Sequence, residues 1–141
     1  MLHSKERVPV VVTESHDDMA WAVAERIAAI IRDRNARGEN AVLGLATGST
    51  PIGVYRNLIR LHRDEGLDFS RVVTFNLDEY YPMDPESQHS YVRYMWENFF
   101  SEINIQKENV HIPDGTVPRD LLDRYCAEYE EKIRAAGGID F

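Results

Sequence analysis

The sequence holds a single cysteine, Cys126, among its 141 residues. No internal disulfide can form, which fits a reducing cytoplasm. Positive charge is also scarce: 16 Lys and Arg stand against 24 Asp and Glu, a net charge of -8. No basic cluster offsets that balance, so a nucleic-acid partner is not expected. No apolar run approaches the length of a membrane span, so no membrane partner is expected either. The polar start from Met1 to Arg7 and the brief run from Val8 to Val12 do not make a secretion signal. The expected location is therefore cytoplasmic. None of the histidines, His3, His16, His62, His89 and His111, pairs with another at a helical metal-ligand spacing, and no metal is expected. Asp84, Glu86 and His89 form only a loose group, which a turn-rich surface loop explains. Internal repeats and low-complexity linkers are missing as well, which leaves a single domain over residues 1–141.

What remains is an ordinary globular composition, 43% hydrophobic and 28% charged. The β-branched run Val8 to Thr13 reads as a strand. Ser15 can cap the following helix, with Asp17 and Asp18 in its first turn, where negative charge is favourable. Met19, Val23, Ile27, Ile30 and Ile31 recur at helical spacing. Ala41 to Ala46 is a second strand, apolar enough for burial on both faces, as in a parallel sheet. Ile52, Tyr55, Leu58, Ile59 and His62 mark one face of the next helix, which Gly66 ends. Arg71 to Asn76 is a third strand. A long polar loop from Asn76 to Ser90 follows, either functional or a mobile surface lid.

Ser90 then caps an amphipathic helix. Tyr91, Met95, Phe99 and Ile103 lie on one stripe, with Val92, Trp96 and Phe100 beside it, and its aromatics read as core. A short strand falls near Val110. The last helix carries Leu121, Leu122, Tyr125, Tyr129 and Ile133, with Cys126 between Leu122 and Tyr129 as a buried structural thiol. Gly137 and Gly138 end it. Ile139, Asp140 and Phe141 look like the opening of another strand, which reads as a fragment of a longer protein cut before its sheet is complete. An unfinished sheet edge would invite pairing with a second copy of the chain. The alternation of strands and helices predicts an α/β domain with a mainly parallel sheet.

In such a sheet, ligands bind beyond the carboxyl ends of the strands. Two segments should meet there. The first, Val42 to Pro51, runs strand, tight turn, helix start. Gly44 and Gly48 bracket the turn, Ser49 and Thr50 supply hydroxyls, and Pro51 suits a first helical position. Free amides and the helix dipole at Thr47, Gly48, Ser49 and Thr50 suit a phosphate. The spacing matches neither a Walker loop nor a dinucleotide fingerprint. An ordinary strand-to-helix turn with small residues explains the same pattern. The second segment, Asn76 to Tyr80, places Asp78 and Glu79 at a strand end, with Phe75, Tyr80 and Tyr81 able to desolvate one carboxylate for acid–base work. A solvated acidic loop is the competing reading.

At these residues the sequence resembles the glucosamine-6-phosphate deaminase family, also called glucosamine-6-phosphate isomerase. The likeness is carried by Leu43 to Pro51 and Val72 to Tyr80. Asn98-Phe99-Phe100, Glu108-Asn109-Val110 and Tyr129 to Ile133 follow in matching order. It implies a Rossmann-like three-layer sandwich, apparently truncated here, and no cofactor. It also implies conversion of glucosamine 6-phosphate to fructose 6-phosphate and ammonia, with a small sugar phosphate as partner. Asp78 matches the family aspartate that moves a proton between carbons 1 and 2 through an enolamine. Gly48, Ser49 and Thr50 match its phosphate loop. The loop from Tyr81 to Tyr91 is a few residues longer than the family pattern. The family's Asp-x-His pair, ring-opening glutamate and later basic residues have no counterpart before Phe141. The resemblance thus implies little or no deaminase activity for this chain by itself. A 6-phosphogluconolactonase-like hydrolase shares the Gly-Ser-Thr-Pro turn but usually shows Asp-Glu-Arg in place of Asp78-Glu79-Tyr80. A non-catalytic sugar-phosphate sensor is the third reading.

Overall fold

A parallel sheet organises residues 9–141, which the computed structural model describes. Its strands are β1 (Ala41–Leu45), β2 (Val72–Asn76) and β3 (Val110–His111), hydrogen-bonded in the order β1-β2-β3. Ala41 lies opposite Val72 and Leu45 opposite Asn76. Thr74 lies opposite Val110.

The chain returns along the other edge of β1. Asp140 N donates to Val42 O at 2.8 Å, and Gly44 N donates to Phe141 O at 2.9 Å. The Asp140 carboxylate fastens this segment twice more. Its Oδ2 accepts from Val42 N at 2.9 Å and its Oδ1 from Arg34 Nη2 at 2.6 Å. The expected strand opening at Ile139 is thus an edge segment beside β1. The spatial order runs β3, β2, β1, then 139–141, so the direction of winding reverses at β1. That reversal is where an open α/β sheet leaves a crevice.

Side chains alternate across the sheet and fill two layers. Ala41, Leu43, Leu45 and Val72 share a core with α1 (His16–Ala36), α2 (Ile52–Glu65) and α3 (Tyr91–Asn98). Val42, Val73 and Phe75 face the opposite way, against Tyr129 and Ile133 of α4 (Leu122–Ala135). The result is the expected α/β three-layer sandwich with a parallel sheet. Among the described residues, no helix is long and apolar enough to cross a membrane.

Three local expectations change. The strand expected from Val8 to Thr13 begins outside the described residues, and residues 9–13 form no strand. Val10, Val11 and Val12 stay exposed. A β-branched run fits a pleated surface but does not supply a neighbour, and the free edge of β1 is already taken by 139–141. Second, α1 buries Ala20, Ala24, Ile27, Ala28 and Ile31, while Val23 and Ile30 only flank the core. Its cap is as expected, with Ser15 Oγ accepting from Asp18 N at 3.1 Å. The alanine stripe lets α2 approach closely. Third, α3 ends at Asn98, where Phe99 turns to φ -147 and ψ -64, and a 3-10 turn over Phe100–Glu102 follows. The break lets both Phe99 and Phe100 reach the core.

The closest approach of α1 to α2 sets a test. A Cβ on Gly53 would stand 2.8 Å from Ala20 Cβ. Gly53→Ala should force the helices apart and lower stability by about 1–3 kcal/mol. Urea denaturation reads the change, and an unaltered midpoint would show that the two helices have slack.

Candidate functional site

The Thr47–Thr50 turn leaves the carboxyl end of β1 and enters α2. Gly48 holds φ +96, and a Cβ there would meet nothing within 4 Å. The glycine therefore serves the left-handed backbone rather than a tight space. Pro51 adopts φ -80 and ψ -7 at the helix start, and the first turn of α2 carries no acid and no side-chain cap.

The carbonyls of the turn are anchored from below. The Tyr55 hydroxyl donates to Ala46 O, and the Tyr94 hydroxyl donates to Gly48 O. Among the described residues, no protein acceptor takes the backbone N–H of Thr47, Gly48, Ser49 or Thr50. The carbonyls are thus tied inward and the amides are left free, an arrangement suited to an anion.

The Asn76–Tyr80 segment exits β2 alongside. Leu77 N donates to Leu45 O at 3.1 Å, so the two exits run side by side. The adjacent carboxylates then part company. Glu79 Oε1 accepts from Tyr80 N and its Oε2 from Tyr91 N, each at 2.9 Å. Glu79 thereby ties its own strand exit to the first residue of α3, where Ser90 already caps the helix through Arg93 N at 3.1 Å. Asp78 is exposed, and no ion pair among the described residues engages it. It is the uncommitted carboxylate of the pair. Beneath this edge, Thr74 Oγ1 and both amide atoms of buried Asn76 lack a hydrogen-bond partner among the described residues. Buried polar atoms ordinarily have one.

Tyr91 stands against the second segment. Its helical spacing placed it on the core stripe, but only Phe99, Phe100 and Met95 of that group are fully buried. The Tyr91 ring packs against that of Tyr80, and its N–H is the one that donates to Glu79 Oε2. Its phenol is held above the usual tyrosine range, chiefly through the Tyr80 hydrogen bond, and the Asp78 charge pushes the same way. The Tyr80 and Tyr91 rings lie 5.0 Å apart at 44°. Tyr91 was detectable from its position: it follows the cap Ser90 directly, in a first turn that faces the loop rather than the core.

The loop between Asp78 and Ser90 is docked rather than loose. Met83 N donates to Gly115 O at 2.9 Å, and the Tyr81 hydroxyl donates to Val117 O at 2.9 Å. A Cβ on Gly115 would stand 2.6 Å from Met83 Cβ. Cys126 is exposed, contrary to the expectation of a buried thiol, because α4 packs through Tyr129 and Ile133. It lines a cavity of about 260 Å³ with Tyr80, Tyr81 and Tyr125. A larger groove of about 480 Å³ runs between α1 and α2, past Asp17, Arg56 and Arg60, and includes none of the expected site residues.

Burial holds the Tyr55 phenol well above its ordinary range. A group whose folded pKa is raised contributes stability below its unfolded pKa and loses it as pH rises further. The denaturation midpoint should therefore fall above about pH 10, and Tyr55→Phe should flatten that fall. Urea titrations across alkaline pH test this; equal slopes in both proteins would remove Tyr55 as a cause.

The family model for glucosamine-6-phosphate isomerases/6-phosphogluconolactonase matches residues 14–141. A glucosamine-6-phosphate deaminase of Thermoanaerobacter sp. (strain X514) is 47% identical over 131 residues, covering 93% of this chain and 49% of the relative. The glucosamine-6-phosphate deaminase of Clostridioides difficile (strain 630) is 46% identical over 131 residues, 93% of this chain and 50% of the relative. The chain thus spans about half the length of the curated relatives it matches. Among solved structures, a monomeric glucosamine-6-phosphate deaminase superposes with TM-score 0.87 at 35% identity, over 94% of this chain and 53% of the other. A 6-phosphogluconolactonase from Thermotoga maritima superposes with TM-score 0.66 at 25% identity, over 90% of this chain and 53% of the other.

Proposed function

This chain belongs to the glucosamine-6-phosphate isomerase/6-phosphogluconolactonase family, and from that premise we propose that it carries half of a glucosamine-6-phosphate deaminase site. One observation carries the reading: Asp78, a carboxylate with no ion pair among the described residues, and a turn with unpaired amides share one sheet edge, where Leu77 N donates to Leu45 O. The amides of Thr47, Gly48, Ser49 and Thr50 receive the phosphate. Asp78 removes the proton from carbon 2 of the opened sugar and returns it to carbon 1, by way of an enolamine. Water then releases ammonia from the imine and leaves fructose 6-phosphate. Glu79 does not share the proton transfer, because two backbone N–H groups occupy its oxygens. Its work is to hold Asp78 and Tyr91 in place. The reaction is assigned to the cytoplasm, where an exposed lone thiol such as Cys126 stays reduced.

Substitution separates the two acids. In the protein as encoded, Asp78→Asn should lower ammonia release from glucosamine 6-phosphate about 10²–10⁴-fold. Binding of the sugar phosphate by this chain, measured by titration calorimetry, should stay within about threefold, since the amides hold the phosphate. Glu79→Gln should lower stability by about 0.5–2 kcal/mol, the range for weakening a helix start. Ammonia release that survives Asp78→Asn, or turnover of 6-phosphogluconolactone in its place, overturns the assignment.

A further inference from the structure

We propose that Tyr94 is a positioning residue for the phosphate turn: through the Gly48 carbonyl it locks the turn to α3, the helix that Glu79 ties to the Asp78 segment. This rests on the deaminase reading and goes on to name what fixes the two halves of the site relative to each other.

The turn has little of its own to hold its shape. Gly48 sits at φ +96, and a Cβ there would meet nothing within 4 Å, so packing does not restrain it. Glycine also has the widest choice of backbone conformations. The start of α2 adds no capping side chain. Amides that are not aimed in advance must be ordered by the ligand, and affinity falls accordingly. In a trans peptide the carbonyl and the following N–H point opposite ways. A hydrogen bond that draws Gly48 O inward therefore presents Ser49 N–H outward. The Tyr94 hydroxyl makes that bond.

The same helix holds the other segment. Tyr91 N, on the helical turn before Tyr94, donates to Glu79 Oε2 at 2.9 Å. One turn of α3 thus grips both sheet exits, that of β2 through Glu79 and that of β1 through Gly48. The helix is itself fixed from below, because Met95 and the following Phe99 are fully buried and Phe99 stacks on Tyr55. Tyr55 anchors the neighbouring carbonyl of Ala46, but it belongs to the core. Tyr94 only flanks that core, so its hydroxyl serves the turn more than the packing. Burial holds its phenol above the usual tyrosine range, which keeps the donor proton in place at neutral pH.

An amide NMR titration of the isotope-labelled chain, with inorganic phosphate as the probe, tests the assignment. In the unaltered chain, phosphate should shift the N–H signals of Gly48, Ser49 and Thr50. Tyr94→Phe keeps the ring, and so the fold, and removes only the hydroxyl. It should raise the phosphate dissociation constant about three- to tenfold, the factor by which loss of one hydrogen bond thins the population of correctly aimed turns. In the protein as encoded, KM for glucosamine 6-phosphate should rise by the same factor while kcat stays within about twofold, because a bound phosphate orders the turn and Asp78 is untouched. A merely structural tyrosine would lower the urea midpoint and leave the phosphate dissociation constant in place. Phosphate binding by Tyr94→Phe within about twofold of the unaltered chain overturns the proposal, while the phosphate site stands. A fall in kcat with KM unchanged overturns it too. If phosphate moves none of the turn amides in the unaltered chain, the phosphate half of the deaminase reading fails and this proposal with it.

Discussion

Parallel pairing of Ala41–Leu45 with Val72–Asn76 brings two chain exits to one edge of the sheet, side by side. Parallel strands need a crossover, and α2 provides it. That crossover begins with the Thr47–Thr50 turn, so the helix start must lie beside the end of β2. Leu77 N continues the pairing to Leu45 O at 3.1 Å before the chains part. Had the register slipped by one residue, Phe75 would leave the α4 side and Thr74 would take its place. The apolar faces of β1 and β2 oppose such a slip, because Val42, Val73 and Phe75 fill one layer and Leu43, Leu45 and Val72 the other. The position of Asp78 near the turn is therefore a consequence of core packing.

The turn itself has a directional design. Tyr55 and Tyr94 donate to the carbonyls of Ala46 and Gly48 from the α2 and α3 side. Each carbonyl so engaged fixes the peptide plane that follows it and turns the next amide outward. Tyr55 is buried and stacks on Phe99 at 4.8 Å, so the anchor is itself part of the core. Core aromatics thus orient surface amides. This is why Tyr55, on the apolar face of α2, matters to the site as well as to packing.

Much of this was legible in the amino-acid order. The strands around Leu43 and Thr74, the Gly48 turn, the caps Ser15 and Ser90, and the ends at Gly66 and Gly137 all rest on contacts within a few residues. What escaped depends on partners distant in the chain. Val10 to Val12 have strand propensity but no edge to join. The α1 face is chosen by how closely α2 can approach, and small Ala20, Ala24 and Ala28 win over larger Val23 and Ile30. Cys126 shares a helix with Tyr129, yet a rotation of less than one turn separates the buried face from solvent. Tyr91 fits a helical stripe, and its place directly after the cap Ser90 sets it where its ring meets Tyr80 and its N–H meets Glu79, 11 and 12 positions earlier in the chain.

Asp78 and Glu79 show how neighbours of the same chemistry acquire different work. Both follow β2, and composition cannot rank them. The difference lies in what the backbone offers each one. Glu79 reaches two N–H donors, at Tyr80 and Tyr91. A carboxylate whose two oxygens accept such bonds is held in place and offers a ligand no free oxygen. Asp78, one residue earlier and one methylene shorter, is exposed and engages no ion pair among the described residues. The strand itself ends at Asn76, with Phe75 packed on Tyr129 at 5.7 Å, and beyond it the donors at Tyr80 and Tyr91 take one acid to brace the edge and leave the other open to a ligand.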